Sequence, residues 1–156
     1  MDYTLHDPVV MLKPDMIRIG SGSRIDSFVK IEGGDGVTIG KHCHVASFAH
    51  VNIGGGLFTM DDYCNLSSGA RIISGTNELD HASLSAVAPP EMQRITRGFV
   101  RMKRCSCVFT NGVVLPGVTL HEGAVLGAGS VATRDIPAWE VWAGVPARFI
   151  SRREPL

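Results

Sequence analysis

MKRCSCVFTNGVVLPGVTLHEGAVLGAGSVA, residues 102–132, places an apolar residue at every sixth position: Met102, Val108, Val114, Leu120, Leu126 and Ala132. A second beat follows four residues behind the first and takes small residues: Ser106, Gly112, Ala124 and Ser130. A six-residue period matches neither a 3.6-residue helix nor the simple alternation of a half-exposed strand, and it marks a solenoid. Three steps close one triangular coil, with the apolar side chain inside and the small residue filling the corner. Toward the N-terminus the same beat runs through Ile19, Ile25 and Ile31, then Ile39, Val45 and Val51, then Met60, Leu66 and Ile72. Ser23, Cys43, Ala49, Cys64 and Ala70 keep the small-residue beat there.

The interruptions are ordered. Within each triplet the step is constant, and it slips only between a third member and the next first: Ile31 to Ile39, Val51 to Met60, and Ile72 to Met102. All insertions therefore leave from one corner of the prism, where a loop does not break the stacked sheets. The glycine runs Gly33-Gly34-Asp35-Gly36 and Gly54-Gly55-Gly56 fall at that corner, as a sharp exit requires. The pattern predicts an all-β chain of about five triangular coils, about 20–25 Å tall at the usual strand spacing. It reads as a single domain over 1–156, with coils at about 17–74 and 100–136, a long loop at 75–98 and a C-terminal segment at 137–156.

The run Val114-Leu115-Pro116-Gly117-Val118-Thr119-Leu120, its continuation Gly123-Ala124-Val125-Leu126-Gly127-Ala128-Gly129-Ser130-Val131, and the ending Arg134-Asp135-Ile136-Pro137 with Ala143-Gly144-Val145-Pro146-Ala147 resemble the hexapeptide-repeat acyltransferases. The resemblance covers roughly residues 17 to 150. It implies a left-handed parallel β-helix, a homotrimer with active sites between subunits, and acyl transfer from acetyl-CoA. Handedness comes from the resemblance alone, since the usual crossover rule favours the right hand.

Composition sets outer bounds. With 156 residues, 44% of them apolar, and zero net charge, the chain shows no nucleic-acid footprint. No apolar run reaches the length of a membrane span and the start lacks a secretory pattern, so a cytoplasmic location is expected. Cys43 and Cys64 fall on interior corner positions, and Cys105-Ser106-Cys107 is too tight for a zinc pair, so no metal is expected.

Chemistry is expected in the long loop, because such an excursion from a compact repeat is usually functional or disordered. Acyl transfer from a thioester needs a base for the acceptor and donors for the oxyanion. His81 is the loop's sole histidine and a suitable base, with Glu78 and Asp80 beside it. In several family members the histidine stands two residues after the loop glycine, where this chain has Asn77. The phrase Ile73-Ser74-Gly75-Thr76-Asn77-Glu78 instead resembles the polysaccharide or O-antigen acetyltransferase branch, and Asn77 is then expected to orient the acceptor or donate to the oxyanion.

Asn65, Ser67 and Ser68 are expected as acceptor contacts directly beneath the loop. His44 and His50 precede inward residues, so they point outward on successive faces, where subunit packing is the plain reading. Coenzyme A is expected along the C-terminal coils, with its pantetheine against the glycine corners Gly112, Gly127 and Gly129. Its phosphates then meet Arg134, which matches the family's basic position, with Arg148 as a second partner.

The function that follows is acetyl transfer to a sugar hydroxyl in surface-polysaccharide synthesis. The alternative acceptor is the amine of a nucleotide-linked amino sugar. A carbonic-anhydrase-like metalloprotein and a non-catalytic scaffold trimer are the remaining classes.

Overall fold

In the computed structural model, which describes residues 2–155, the beat is the architecture. The triplets stack in register into three parallel sheets. On the first face Leu5, Ile25, Val45, Leu66, Val108, Leu126 and Trp142 lie one above another. On the second face the stack is Met11, Ile31, Val51, Ile72, Val114 and Ala132. On the third, Ile19, Ile39, Met60, Met102 and Leu120 align, and a single bridge adds Ile136. From Ile25 to Leu126 the inward members are almost wholly sealed from solvent. Third-face strands turn a further residue inward, so Val37, Phe58 and Val100 fill the prism beside Ile39, Met60 and Met102.

The sheets hold eight, six and five strands, which extends the column at both ends beyond the five coils read from the sequence. At the base, Leu5, Met11 and Ile17 keep the six-residue step, but the 3-10 turn Pro14–Met16 carries the chain to Ile19 and hides the triplet. At the top the step shortens, with Ile136 only four residues after Ala132, before Trp142 resumes it. The segment after 136 is therefore no loose extension. Glu140–Gly144 continues the first face, and Ala147–Arg152 folds back antiparallel upon it.

The chain turns two of the corners in the left-handed backbone region. Between the third and first faces stand Gly22, His42, Tyr63, Cys105, Gly123 and Trp139. Between the first and second stand Phe28, Phe48, Gly69, Asn111 and Gly129. Positive φ at a bulky residue costs about 1–2 kcal/mol, and stacking down the corner offsets it. The Phe28 and Phe48 rings lie parallel with centroids 5.1 Å apart. His42 stacks on Tyr63 at 5.4 Å, and the Arg104 guanidinium covers Tyr63 in turn. Gly123 has no such freedom to change, because a Cβ there would lie 2.3 Å from the Trp139 ring.

Cys43 and Cys64 sit inside the corner, where burial pushes both thiols up, that of Cys64 to about 12. Cys105 occupies a corner, while Cys107 is on the strand and faces outward.

Candidate functional site

All three insertions leave between the second and third faces, and the longest is an ordered arm. Gly75–Asn77 pairs antiparallel with Ile95–Arg97, Thr76 opposite Thr96. The ladder continues through Glu78 N–H to the Arg94 carbonyl, 2.9 Å, and Ser83 N–H to the Met92 carbonyl, 2.8 Å. Within the arm Glu78 accepts from Thr96 Oγ1 at 2.7 Å and from Arg94 Nη1 at 3.2 Å, so its carboxylate ties the two strands together. Asn77 Nδ2 donates to the Leu84 carbonyl at 3.0 Å, while its buried Oδ1 has no donor among the described residues.

Between the Glu78 and Ser83 rungs the arm carries His81. Its Nδ1 lies 3.0 Å from Asp80 Oδ1, which can only accept, so the neutral ring holds its proton on Nδ1 and leaves Nε2 as an unclaimed base. The hydrogen bond from His81 holds the Asp80 carboxyl below its ordinary value. His81 is partly sheltered, its side chain 23% exposed, against 76% for Asp80. The structure thus brings His81 and Asp80, both sequence candidates, into hydrogen-bonding contact. Glu78, Asp80 and His81 also bring one ligand atom each within 4.8 Å of one another.

The other acceptor candidates are not beneath the arm. Asn65 lies on the first face, Ser67 just beyond that strand and Ser68 at the next corner, so the whole second face separates them from the root at Gly75. The corner arithmetic explains the error: the step from Leu66 to Ile72 crosses a full face before the chain reaches the insertion corner. Asn65 belongs to a polar ladder up the first face. His44 Nδ1 is 3.0 Å from Asn65 Oδ1, and Asn65 Nδ2 donates to Ser67 Oγ at 2.9 Å and to Cys107 Sγ at 3.5 Å. At its foot His44 Nε2 lies 2.7 Å from Asp26 Oδ2, and Arg24 Nε lies 3.0 Å from Asp26 Oδ1.

The second face has a matching pair, with His50 Nε2 2.7 Å from Glu32 Oε1 and Lys30 Nζ 2.9 Å from the same oxygen. The outward phase of both histidines holds, and so does their separation by a corner. Their carboxylate partners were missed, although the signal was present: Asp26 and Glu32 follow the inward Ile25 and Ile31 one coil below. Burial opposes ionisation of both carboxylates, but the hydrogen bonds and charges of His44 and Arg24, and of Lys30 and His50, outweigh it and hold both below their ordinary range. Depressed folded values mean stability that is complete above the ordinary carboxylate range and lost as pH falls through the folded values. The urea midpoint is accordingly expected to hold steady from neutrality to about pH 5 and to fall below about pH 4. In Asp26→Asn that acid slope should be shallower; an unchanged slope would mean the ladder does not couple to folding.

At the C-terminal end the glycine candidates are already committed. Gly112 is buried, donates to the Phe109 carbonyl and accepts from Arg71 N–H, both at 2.9 Å. Gly127 donates to the Trp142 carbonyl at 2.8 Å and Gly129 to Thr110 at 2.9 Å. None of these three N–H groups is open to a pantetheine carbonyl, because coil stacking consumes those of Gly127 and Gly129 and the turn back to Phe109 consumes that of Gly112. Arg134 lays its guanidinium over the Trp142 ring, 5.0 Å from its centre, and no carboxylate among the described residues pairs with it. Arg148 is exposed and donates to the Ala147 carbonyl at 2.9 Å.

No protein-family model matches the sequence. Individual relatives do. The dTDP-4-amino-4,6-dideoxy-D-glucose acyltransferase of Escherichia coli is 38% identical over 141 residues, which span 89% of this chain and 73% of that protein. WbbJ of Escherichia coli strain K12, whose name assigns it to lipopolysaccharide biosynthesis O-acetyl transfer, is 28% identical over 135 residues, 85% of this chain and 67% of that one. Among solved structures, a point mutant of the N-acyltransferase AntD from Bacillus cereus, in complex with dTDP-4-amino-4,6-dideoxyglucose and coenzyme A, superposes with a TM-score of 0.90 at 25% identity, over 98% of this chain and 83% of that one. No helix among the described residues is long and apolar enough to cross a membrane. The six-residue beat, the in-register faces and these relatives agree: the chain belongs to the hexapeptide-repeat sugar acyltransferases, left-handed parallel β-helices that take their acyl group from an acyl-CoA.

Proposed function

We infer that the chain transfers an acetyl group from acetyl-CoA to the amine of a nucleotide-linked amino sugar, a precursor of surface polysaccharide. The observation that carries the chemistry is the His81–Asp80 pair, with Nδ1 fixed at 3.0 Å from the carboxylate and Nε2 unclaimed. His81 takes the proton of the attacking amine, Asp80 orients the ring, and Glu78 keeps the arm rigid through Arg94 and Thr96. The buried Oδ1 of Asn77 has no donor among the described residues, and an acceptor N–H would satisfy it.

The acceptor class rests on the relatives: the Escherichia coli enzyme is named for dTDP-4-amino-4,6-dideoxy-D-glucose, and AntD was solved in complex with dTDP-4-amino-4,6-dideoxyglucose. Asn65, Ser67 and Ser68 reach an arm only if it comes from a second copy, which is the geometry of a homotrimer with sites between subunits. Arg134 and Arg148 are the cations for the coenzyme's phosphates, and the glycine corners at Gly127 and Gly129 are surfaces for its pantetheine. A cytoplasmic location goes with two soluble, activated substrates.

The hydroxyl acceptor of the O-antigen branch is the second reading, favoured by the likeness to WbbJ and by a base already paired with a carboxylate. Thiol release from acetyl-CoA, measured against free sugars, nucleotide sugars and nucleotide amino sugars, separates the two. Release with the nucleotide amino sugars alone is expected. Release with plain sugars and none with amines would establish the hydroxyl reading instead.

A further inference from the structure

Below the root of the arm, where the second and third faces meet, an open groove of about 260 Å³ runs between Lys13, Gly34, Gly54 and Arg97. It adjoins a cleft of about 330 Å³ lined by Thr76, Asn77 and Ile95 of the arm, and Glu32 and Gly54 belong to both. Its chemistry is one-sided. Among the described residues no carboxylate lies within ion-pairing distance of Lys13 or Arg97. Arg97 is anchored by its Nε to the Gly54 carbonyl at 3.2 Å, which leaves its terminal nitrogens unclaimed at the groove's rim. The N–H groups of Gly34 and Gly54, both in the left-handed region with φ 54° and 86°, have no acceptor among the described residues. The groove's carboxylate, Glu32, is already matched by Lys30 at 2.9 Å and His50 at 2.7 Å.

Packing explains why Gly34 and Gly54 are glycines. A Cβ on Gly34 would meet Asn52 Nδ2 at 2.5 Å, and one on Gly54 would meet the Gly75 carbonyl at 2.6 Å. Packing does not explain why one groove is lined by two cations without a carboxylate partner and two backbone donors without an acceptor among the described residues. Such a set complements a dense anion: backbone N–H groups at left-handed turns make anion-binding concavities, and a guanidinium offers forked donors to phosphate oxygens. The groove shares Glu32 and Gly54 with the arm-root cleft, so an anion held at the cations can continue into that cleft as an extended diester.

We propose that this groove binds the diphosphate of the nucleotide-linked acceptor, with its sugar running into the arm-root cleft beside Asn77. The proposal rests on the acceptor class inferred above. Coenzyme A also carries a diphosphate, but the groove sits on the lower coils at the root of the arm, away from the C-terminal coils and Arg134. Lys13 and Arg97 are therefore acceptor-binding residues, and they set a preference for nucleotide-linked over free amino sugars.

Titration calorimetry of the full chain with thymidine diphosphate, and separately with coenzyme A, tests this in the wild type, Lys13→Gln and Arg97→Gln. Each substitution is expected to raise Kd for the nucleoside diphosphate at least tenfold and to leave Kd for coenzyme A within twofold, which also shows that the variants are folded. KM for the nucleotide amino sugar should rise in parallel, with kcat little changed. Unchanged nucleotide binding and KM in both variants would overturn the groove assignment while leaving the acyl transfer intact. A loss of coenzyme A binding in its place would give the groove to the donor and overturn it equally. Failure of the wild type to acylate any nucleotide amino sugar is a separate outcome that removes the functional reading itself.

Discussion

Replacing Leu66 by alanine is expected to destabilise the fold by about 3 kcal/mol, within the 2–5 kcal/mol that buried leucines lose. Leu66 is fully buried at mid-column, with Val45 one coil below and Val108 one coil above. In a packed globular core a cavity closes partly as neighbours shift. Here the neighbours are held at the strand spacing by ladder hydrogen bonds, so the coils above and below cannot sink into the gap. A solenoid also lacks distant contacts to share the loss, since each coil touches only the next. Urea unfolding at fixed protein concentration measures the effect. Leu57→Ala is the control: that side chain is 42% exposed and should change stability by no more than about 0.5 kcal/mol. Equal losses in the two variants would mean that the inward beat is not what holds the column.

The second large effect belongs to His81. General-base catalysis is worth about 10²–10⁴-fold, and an amine, which needs only to shed a proton, draws on the low end of that range. His81→Ala is expected to lower kcat about 10²-fold at neutral pH. The deficit should shrink as pH rises, because the acceptor amine then arrives already deprotonated. A hydroxyl acceptor gains nothing over the same interval, and its deficit would stay constant, so the pH profile of the variant reports the acceptor's chemistry. Asp80→Asn should cost less, since the ring keeps its place on the arm and loses only the partner that fixes its tautomer. Turnover in His81→Ala within a few-fold of wild type at neutral pH would remove His81 from the reaction.

How far the molecule could be read beforehand depends on what each residue's role requires. The inward position of Ile25, Val45 or Leu66 is a one-dimensional property: the residue must be apolar and must recur at the length of one face, and both facts stand in the chain. The shared corner of the insertions is equally linear, because it follows from counting steps between triplets. The end coils were hidden where counting failed, at the turn Pro14–Met16 and at the shortened step to Ile136. The carboxylate partners of His44 and His50 lay between the two cases. Their phase put them one coil below, but only a register of coil upon coil converts eighteen residues of separation into 2.7 Å.

By itself the sequence determined the solenoid, the inward phase of the fifteen residues on the six-residue beat, the corner from which the arm leaves and the family to which the repeat belongs. Tertiary structure alone decided the rest. It turned 75–98 from a loop into a paired arm, set Asn65 and Ser67 a full face away from that arm, spent the N–H groups of Gly127 and Gly129 on coil stacking and that of Gly112 on its own turn, and left those of Gly34 and Gly54 without an acceptor among the described residues in the groove that Lys13 and Arg97 also line. The physical reason is the same throughout. Burial of an apolar side chain depends on its own place in the period. Whether a polar group is free or satisfied depends on what the neighbouring coil, some twenty residues away, brings within hydrogen-bonding reach.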